Sequence, residues 1–203
     1  MTIAYPITLP SSPAPASLRI YPRSIVAVAA SPFSGAQQAY QHPAQFWQAD
    51  ITLPPMRRAD AAPWIAAMLQ LNGRYGTFRL GDDSHRTPTG AATGTPLVKG
   101  VGQTGQSLIT DGWTAGVTGI LKQGDYIEVA NRLYMVMVDA NSDGSGNATL
   151  DIWPRLRAAT IDNEAITVTN CRGIFRLASN EMPWDARPGS IVESISFTAI
   201  EAI

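Results

Sequence analysis

Gly76-Thr77-Phe78-Arg79-Leu80 returns much later in the chain as Gly173-Ile174-Phe175-Arg176-Leu177. In each copy a phenylalanine and a leucine flank an arginine, the period of two that turns one face of a strand inward. Either a common strand pattern has recurred by chance, or the copies are two strands of one outer sheet flanking an inserted domain. The second alternative divides the chain into a discontinuous outer β domain, 1–82 plus 171–203, and an inserted small β domain, 83–170. The stretch DDSHRTPTGAATGTP beginning at Asp82 marks the first junction. It is poor in apolar residues and rich in Gly, Pro and Thr, as connectors are.

Working outward, the rest of the chain reads mainly as strands. Ser24–Ala30, Phe46–Leu53, Asp125–Asp139 and Ile191–Ala199 are the clearest, separated by turn signals at Pro54-Pro55, Asp143-Gly144 and Pro188-Gly189. One segment reads as a short helix, about 60–72. Asp60 is a candidate N-cap, Pro63 lies in the first turn, and Gly73 is a stop. Trp64, Ile65, Met68, Leu69 and Leu71 form one broad face to pack on a sheet. A single helix among many short strands predicts a mainly β fold, a β-sandwich or barrel with one flanking helix.

Composition narrows the function. The 203 residues are 45% hydrophobic and 15% charged, which is ample for a packed core and excludes a disordered chain. Fifteen Lys+Arg against sixteen Asp+Glu leave a net charge of −1, so no basic surplus points to sequence-specific nucleic-acid binding. The single cysteine, Cys171, excludes an internal disulfide and a cysteine-built zinc cluster. Neither a signal peptide nor a membrane span is legible, so a soluble protein made in the cytoplasm is expected.

Most candidate chemistry fails on its context. Gly100-Val101-Gly102-Gln103-Thr104-Gly105 spells a dinucleotide fingerprint, but a strand and turn follow it where a helix N-terminus must hold the pyrophosphate. Asp139, Asn141 and Asp143, with Gly144 next, are spaced like the first ligands of a calcium loop. The closing bidentate Glu falls at Leu150, and the flanks are strand-like, so a hairpin loop accounts for the same residues. These three are the weak metal candidates, with an affinity expected at millimolar or weaker. Asp82, Asp83 and His85 read as a solvated loop, His42 has no acidic partner nearby, and Cys171 reads as a buried thiol. No pair of acids is singled out by spacing, and two histidines leave little for general-base work. No catalytic residue, no enzyme activity and no cofactor are therefore expected. Trp47, Trp64, Trp113, Trp153 and Trp184 admit a carbohydrate- or receptor-binding alternative, although core packing explains most of them.

One string of motifs does resemble a known group. Ser31-Pro-Phe-Ser-Gly-Ala-Gln-Gln38 is followed by Trp47, Ile51-Thr-Leu-Pro-Pro-Met56, the Trp64 helix and Gly73-Arg-Tyr-Gly-Thr-Phe-Arg-Leu-Gly-Asp82. The later half adds Leu121-Lys-Gln-Gly-Asp-Tyr126, Arg132-Leu-Tyr134, Ile152-Trp-Pro-Arg-Leu156 and Gly173-Ile-Phe-Arg-Leu177. In order and spacing these resemble the distal tail proteins of long-tailed phages and prophages of proteobacteria. The resemblance implies a tail-tube-like β domain that forms a hexameric ring between the tail tube and the baseplate or tail-tip complex. It implies as partners further copies of the chain, the tail tube protein and a hub protein, with tail fibres as candidates for the inserted domain. It also implies a place in the virion, at the tail tip. A Pro-rich segment, Ala4–Ser17, suits an arm that orders on assembly.

Overall fold

A computed structural model describes residues 3–203 and shows a mainly β protein of two sheets with, among the described residues, one α-helix. The chain begins with β1 (Ser17–Ala30), β2 (Gln37–Thr52), β3 (Met56–Arg57), α1 (Arg58–Gln70) and β4 (Phe78–Leu80). It continues through β5 (Gly94–Val98), β6 (Ser107–Trp113), β7 (Tyr126–Val129), β8 (Arg132–Val136), β9 (Ala148–Trp153) and β10 (Ile166–Thr167). It returns as β11 (Gly173–Leu177), β12 (Trp184–Arg187) and β13 (Ile191–Glu201).

The first sheet runs β1-β2-β13-β11-β4, with β12 and β3 pairing the first half of β13. The two copies of the repeated motif are its strands β4 and β11. They pair antiparallel, with Phe78 opposite Phe175 and Leu80 opposite Gly173. Both phenylalanines are fully buried, in a core with Leu53, Trp64 and Leu71. The N-terminal segment is docked on the same edge. Ile7 N–H donates to Thr77 O, Arg79 N–H donates to Ile7 O, and Tyr5 Oη donates to Gln70 O. Tyr5 and Ile7 thus tie the start of that segment to this edge within a single chain.

The second sheet has the order β10-β7-β8-β9-β6-β5, and its ends nearly meet. Val98 N–H donates to Glu164 O and Asn163 N–H to Val98 O, so the sheet curls into an almost closed barrel. Val98, Leu108, Ile127, Val136, Leu150 and Ile152 fill it. The loops follow local chemistry. Asp125–Asp139, expected as one strand, is broken into β7 and β8 by a two-residue turn at Ala130-Asn131. Both residues have positive φ, 52° and 59°, the geometry of the hairpin turns that match strand twist.

Helix α1 starts three residues earlier than the Asp60 cap implied, and Asp60 lies in its first turn with no side-chain cap present. The buried face holds Ala61, Trp64, Ile65, Ala67 and Met68, while Leu69 is 63% exposed. At 100° per residue Leu69 lies well round from the centre of that stripe, which two alanines complete instead.

The 82–93 connector carries no regular structure but is pinned to the barrel. The fully buried Asp125 carboxylate accepts from Thr89 N and Oγ1, Gly90 N and Lys122 N, at 2.7–3.1 Å. His85 Nε2 lies 3.1 Å from the same group. Burial opposes the charge of Asp125, but these donors outweigh it and hold its pKa below the usual carboxylate value.

Candidate functional site

Strands β1 and β2 form a hairpin far longer than the sheet that roots it. Ser17–Ser24 pair Gln45–Thr52 over the body, and beyond a register shift Val26–Ala30 pair Gln37–Gln41. From Pro22 to Pro43 every residue is exposed except the half-buried Ser31. Seven residues past Arg23, at about 3.3 Å each, make an arm of roughly 20 Å. It is not a polar arm. Val28 is 59% exposed, Tyr40 65% and Phe33, in the tip turn, 98%. From Ser24 to Ala49 the sequence contains no Asp, Glu, Lys or Arg. Edge strands that stand alone in water are ordinarily protected by charge, and the arm beyond Arg23 has none. Among the described residues no strand pairs with the outer edge of β1.

The root of the arm is fixed by a second constellation, where the barrel meets the first sheet. Trp47 is 3% exposed; its Nε1–H donates to Leu133 O at 2.9 Å, and its ring stands edge-on to Trp153 at 4.5 Å. Tyr126 and Leu133 of the barrel are buried in the first core with it. Glu201, on β13, accepts from Trp47 N at 3.1 Å and from Arg157 Nε at 3.1 Å, with a second bond from Arg157 Nη2. The carboxylate is wholly buried and Arg157 nearly so. Arg79 pairs with Glu128, whose other oxygen accepts from Arg172 N, and Gln45 Oε1 accepts from Arg155 N. The arm is therefore held at its base by a rigid, hydrogen-bonded seam.

The other candidates take ordinary structural roles. Asp139 accepts from Gln123 N and Lys122 Nζ, Asn141 from Gly119 N, and Asp143 from Ser145 N, Asn147 N and Asn147 Nδ2. Their oxygens thus serve separate donors in the chain. These bonds lower the pKa of Asp139, chiefly through Gln123 N, and of Asp143, chiefly through the Asn147 side chain. In the glycine-rich loop Gly100 N donates to Asp162, Gly102 N to Thr160 O and Gln103 N to Thr160 Oγ1, so these amides already have acceptors. Gln103 staples the loop to Lys99 and Ile109.

Asp82 is tied to Ser84, and Asp83 faces Arg86 and Arg172. His42 stacks edge-on against Tyr40 in the arm. Cys171 is buried against Tyr126 O and Thr167 O, and burial pushes its pKa up to about 12, so it carries no thiolate near neutrality. Trp113 is 5% exposed with Nε1–H on Thr110 Oγ1, so it offers no sugar-stacking face, while the half-buried Trp153 packs edge-on with Trp47. Among the described residues no cluster of three or more His, Cys, Asp or Glu is placed to hold a metal ion, and no helix is long and apolar enough to cross a membrane.

Reading the sequence did not single out the arm as the site. Ser24–Ala30 reads as a strand, and it is one, yet both of its faces are exposed. The missed signal was the long run without charge, which a half-buried strand of a monomer seldom has. No family model and no curated protein matches this chain.

Proposed function

We propose that the chain is a structural subunit of a phage or prophage tail, forming a ring, hexameric by the resemblance, that joins the tail tube to the baseplate or tail-tip complex. The exposed, charge-free β1–β2 arm carries this reading. A monomer gains nothing from an apolar hairpin held out in water, whereas a ring subunit covers it with its neighbour and closes the open edge of β1. The seam at Trp47 and Glu201 supports the same role, since an arm that must meet a neighbour in a fixed geometry needs a stiff root. The order and spacing of motifs along almost the whole chain supply the tail assignment. The tube protein and a hub protein are the proposed partners on the two faces of the ring, with fibres proposed for the barrel.

The test is assembly. Mass photometry and negative-stain images at micromolar concentration, with and without the tube protein, are expected to show rings. Replacing Ile25–Ala44 by Asn-Gly, which joins the paired Ser24 and Gln45, is expected to leave a folded monomer. Wild-type chains that stay monomeric in both conditions overturn the proposal.

A further inference from the structure

Helix α1 and the β12–β13 hairpin leave between them a groove of about 240 Å³ lined by Ile65, Leu69, Met182 and Trp184 and bordered by Asn72 and Asn180. None of its lining residues is charged. Leu69 at 63% and Trp184 at 40% exposure leave it open to solvent. An apolar cavity of about 150 Å³ already accepts a benzene ring. The same chain carries, at the tip of a charge-free arm, a phenylalanine that touches almost nothing. Phe33 at 98% exposure is not in its own chain's groove, so only another molecule can bring the two surfaces together.

We infer that the occupant of this groove is a second copy of the chain, with the arm tip around Phe33 of one copy seated between Leu69 and Trp184 of the next. Both surfaces are apolar and both lack charge, so neither desolvates an ion on contact. A buried aromatic anchor in a pocket is the arrangement that concentrates binding energy. The contact is heterologous, arm to groove, so an open assembly always keeps one free arm at one end and one free groove at the other until the set closes. The inference rests on the proposed self-association and adds which surfaces perform it.

Phe33→Arg and Leu69→Arg each alter an exposed position, and unchanged circular dichroism and melting will show that the fold is intact. Each variant alone is expected to lose self-association by at least about tenfold in apparent affinity. Mixed in equal amounts, the two are expected to form a one-to-one dimer and nothing larger, because only the intact arm and the intact groove can join. The two broken ends then carry like charges and do not extend. Leu69→Arg chains that assemble like the wild type overturn the arm-to-groove contact while leaving ring formation standing. Wild-type filaments in place of rings, with the mixed dimer still formed, overturn the ring and leave the contact standing. A mixture that forms no dimer, or wild-type chains that do not associate at micromolar concentration, also overturns the contact.

Discussion

Asp125 shows how much of this molecule rests on single polar side chains. One buried carboxylate terminates donors from the connector, from the turn before β7 and from His85. Asp125→Ala strands several of these donors at once, and denaturant unfolding is expected to show a loss of about 3 kcal/mol or more. The acid dependence follows from its lowered folded-state pKa. A depressed pKa stabilises the fold fully above the unfolded value of about 3.9, and that contribution fades as pH falls through the folded value. Melting temperature should therefore drop steeply below about pH 4 in the wild type, and less steeply in Asp125→Asn, which has no such proton to take up. The calcium-like loop makes the opposite point. With Lys122 Nζ on Asp139 at 2.9 Å and each ligand oxygen already bonded, about 1 mM Ca²⁺ is expected to leave the melting curve in place. An upward shift abolished by Asp139→Ala would overturn that expectation.

At the scale of elements, β13 is the member on which the others converge. It pairs β2, β3, β11 and β12, and its Glu201 closes the seam to the barrel. Glu201→Ala leaves Arg157 buried without its carboxylate, and equilibrium unfolding should register about 3–5 kcal/mol. A loss under 1 kcal/mol would mean that water reaches the guanidinium. Strand identity was legible where alternation was strong, as in Ile195 and Phe197, and the pairing of β4 with β11 was legible because the same motif was written twice. The break at Ala130-Asn131 was not, because alanine gives no sign of the left-handed geometry that tertiary pairing imposes on it. The exposure of the arm was illegible to periodicity alone, since alternation does not separate an apolar residue that packs within the chain from one left in solvent. The polar seam was also hidden: Trp47, Leu133, Arg157 and Glu201 are far apart in sequence, and no local pattern announces a bond between them.

The whole molecule consists of two sheets with cores of unequal independence. The barrel core is supplied from within residues 92–168, whereas the first core borrows Tyr126 and Leu133. Excising 83–170 with a short Gly/Ser turn is sterically simple, because Leu80 and Gly173 are already partners. The remnant, however, uncovers Trp47 and leaves Glu201 without Arg157. Calorimetry is expected to find cooperative melting of the isolated 83–170 fragment, and a remnant that melts well below the intact chain. A remnant as stable as the parent would show that the seam contributes little.

The placement of β13 also sets the order in which this chain can fold as it leaves the ribosome. Every strand of the barrel precedes residue 168, so that unit can close while synthesis continues. The first sheet cannot, because the strand that lies between β2 and β11 is made after both. Until Ile191–Glu201 emerges, β1 and β2 form a hairpin with neither a central partner nor a charged residue along its outer half. Nascent chains on neighbouring ribosomes then expose the same neutral, β-prone segment at high local concentration. Slow elongation over the codons for Trp184–Glu201 should therefore raise the insoluble fraction more than an equal delay placed within the barrel.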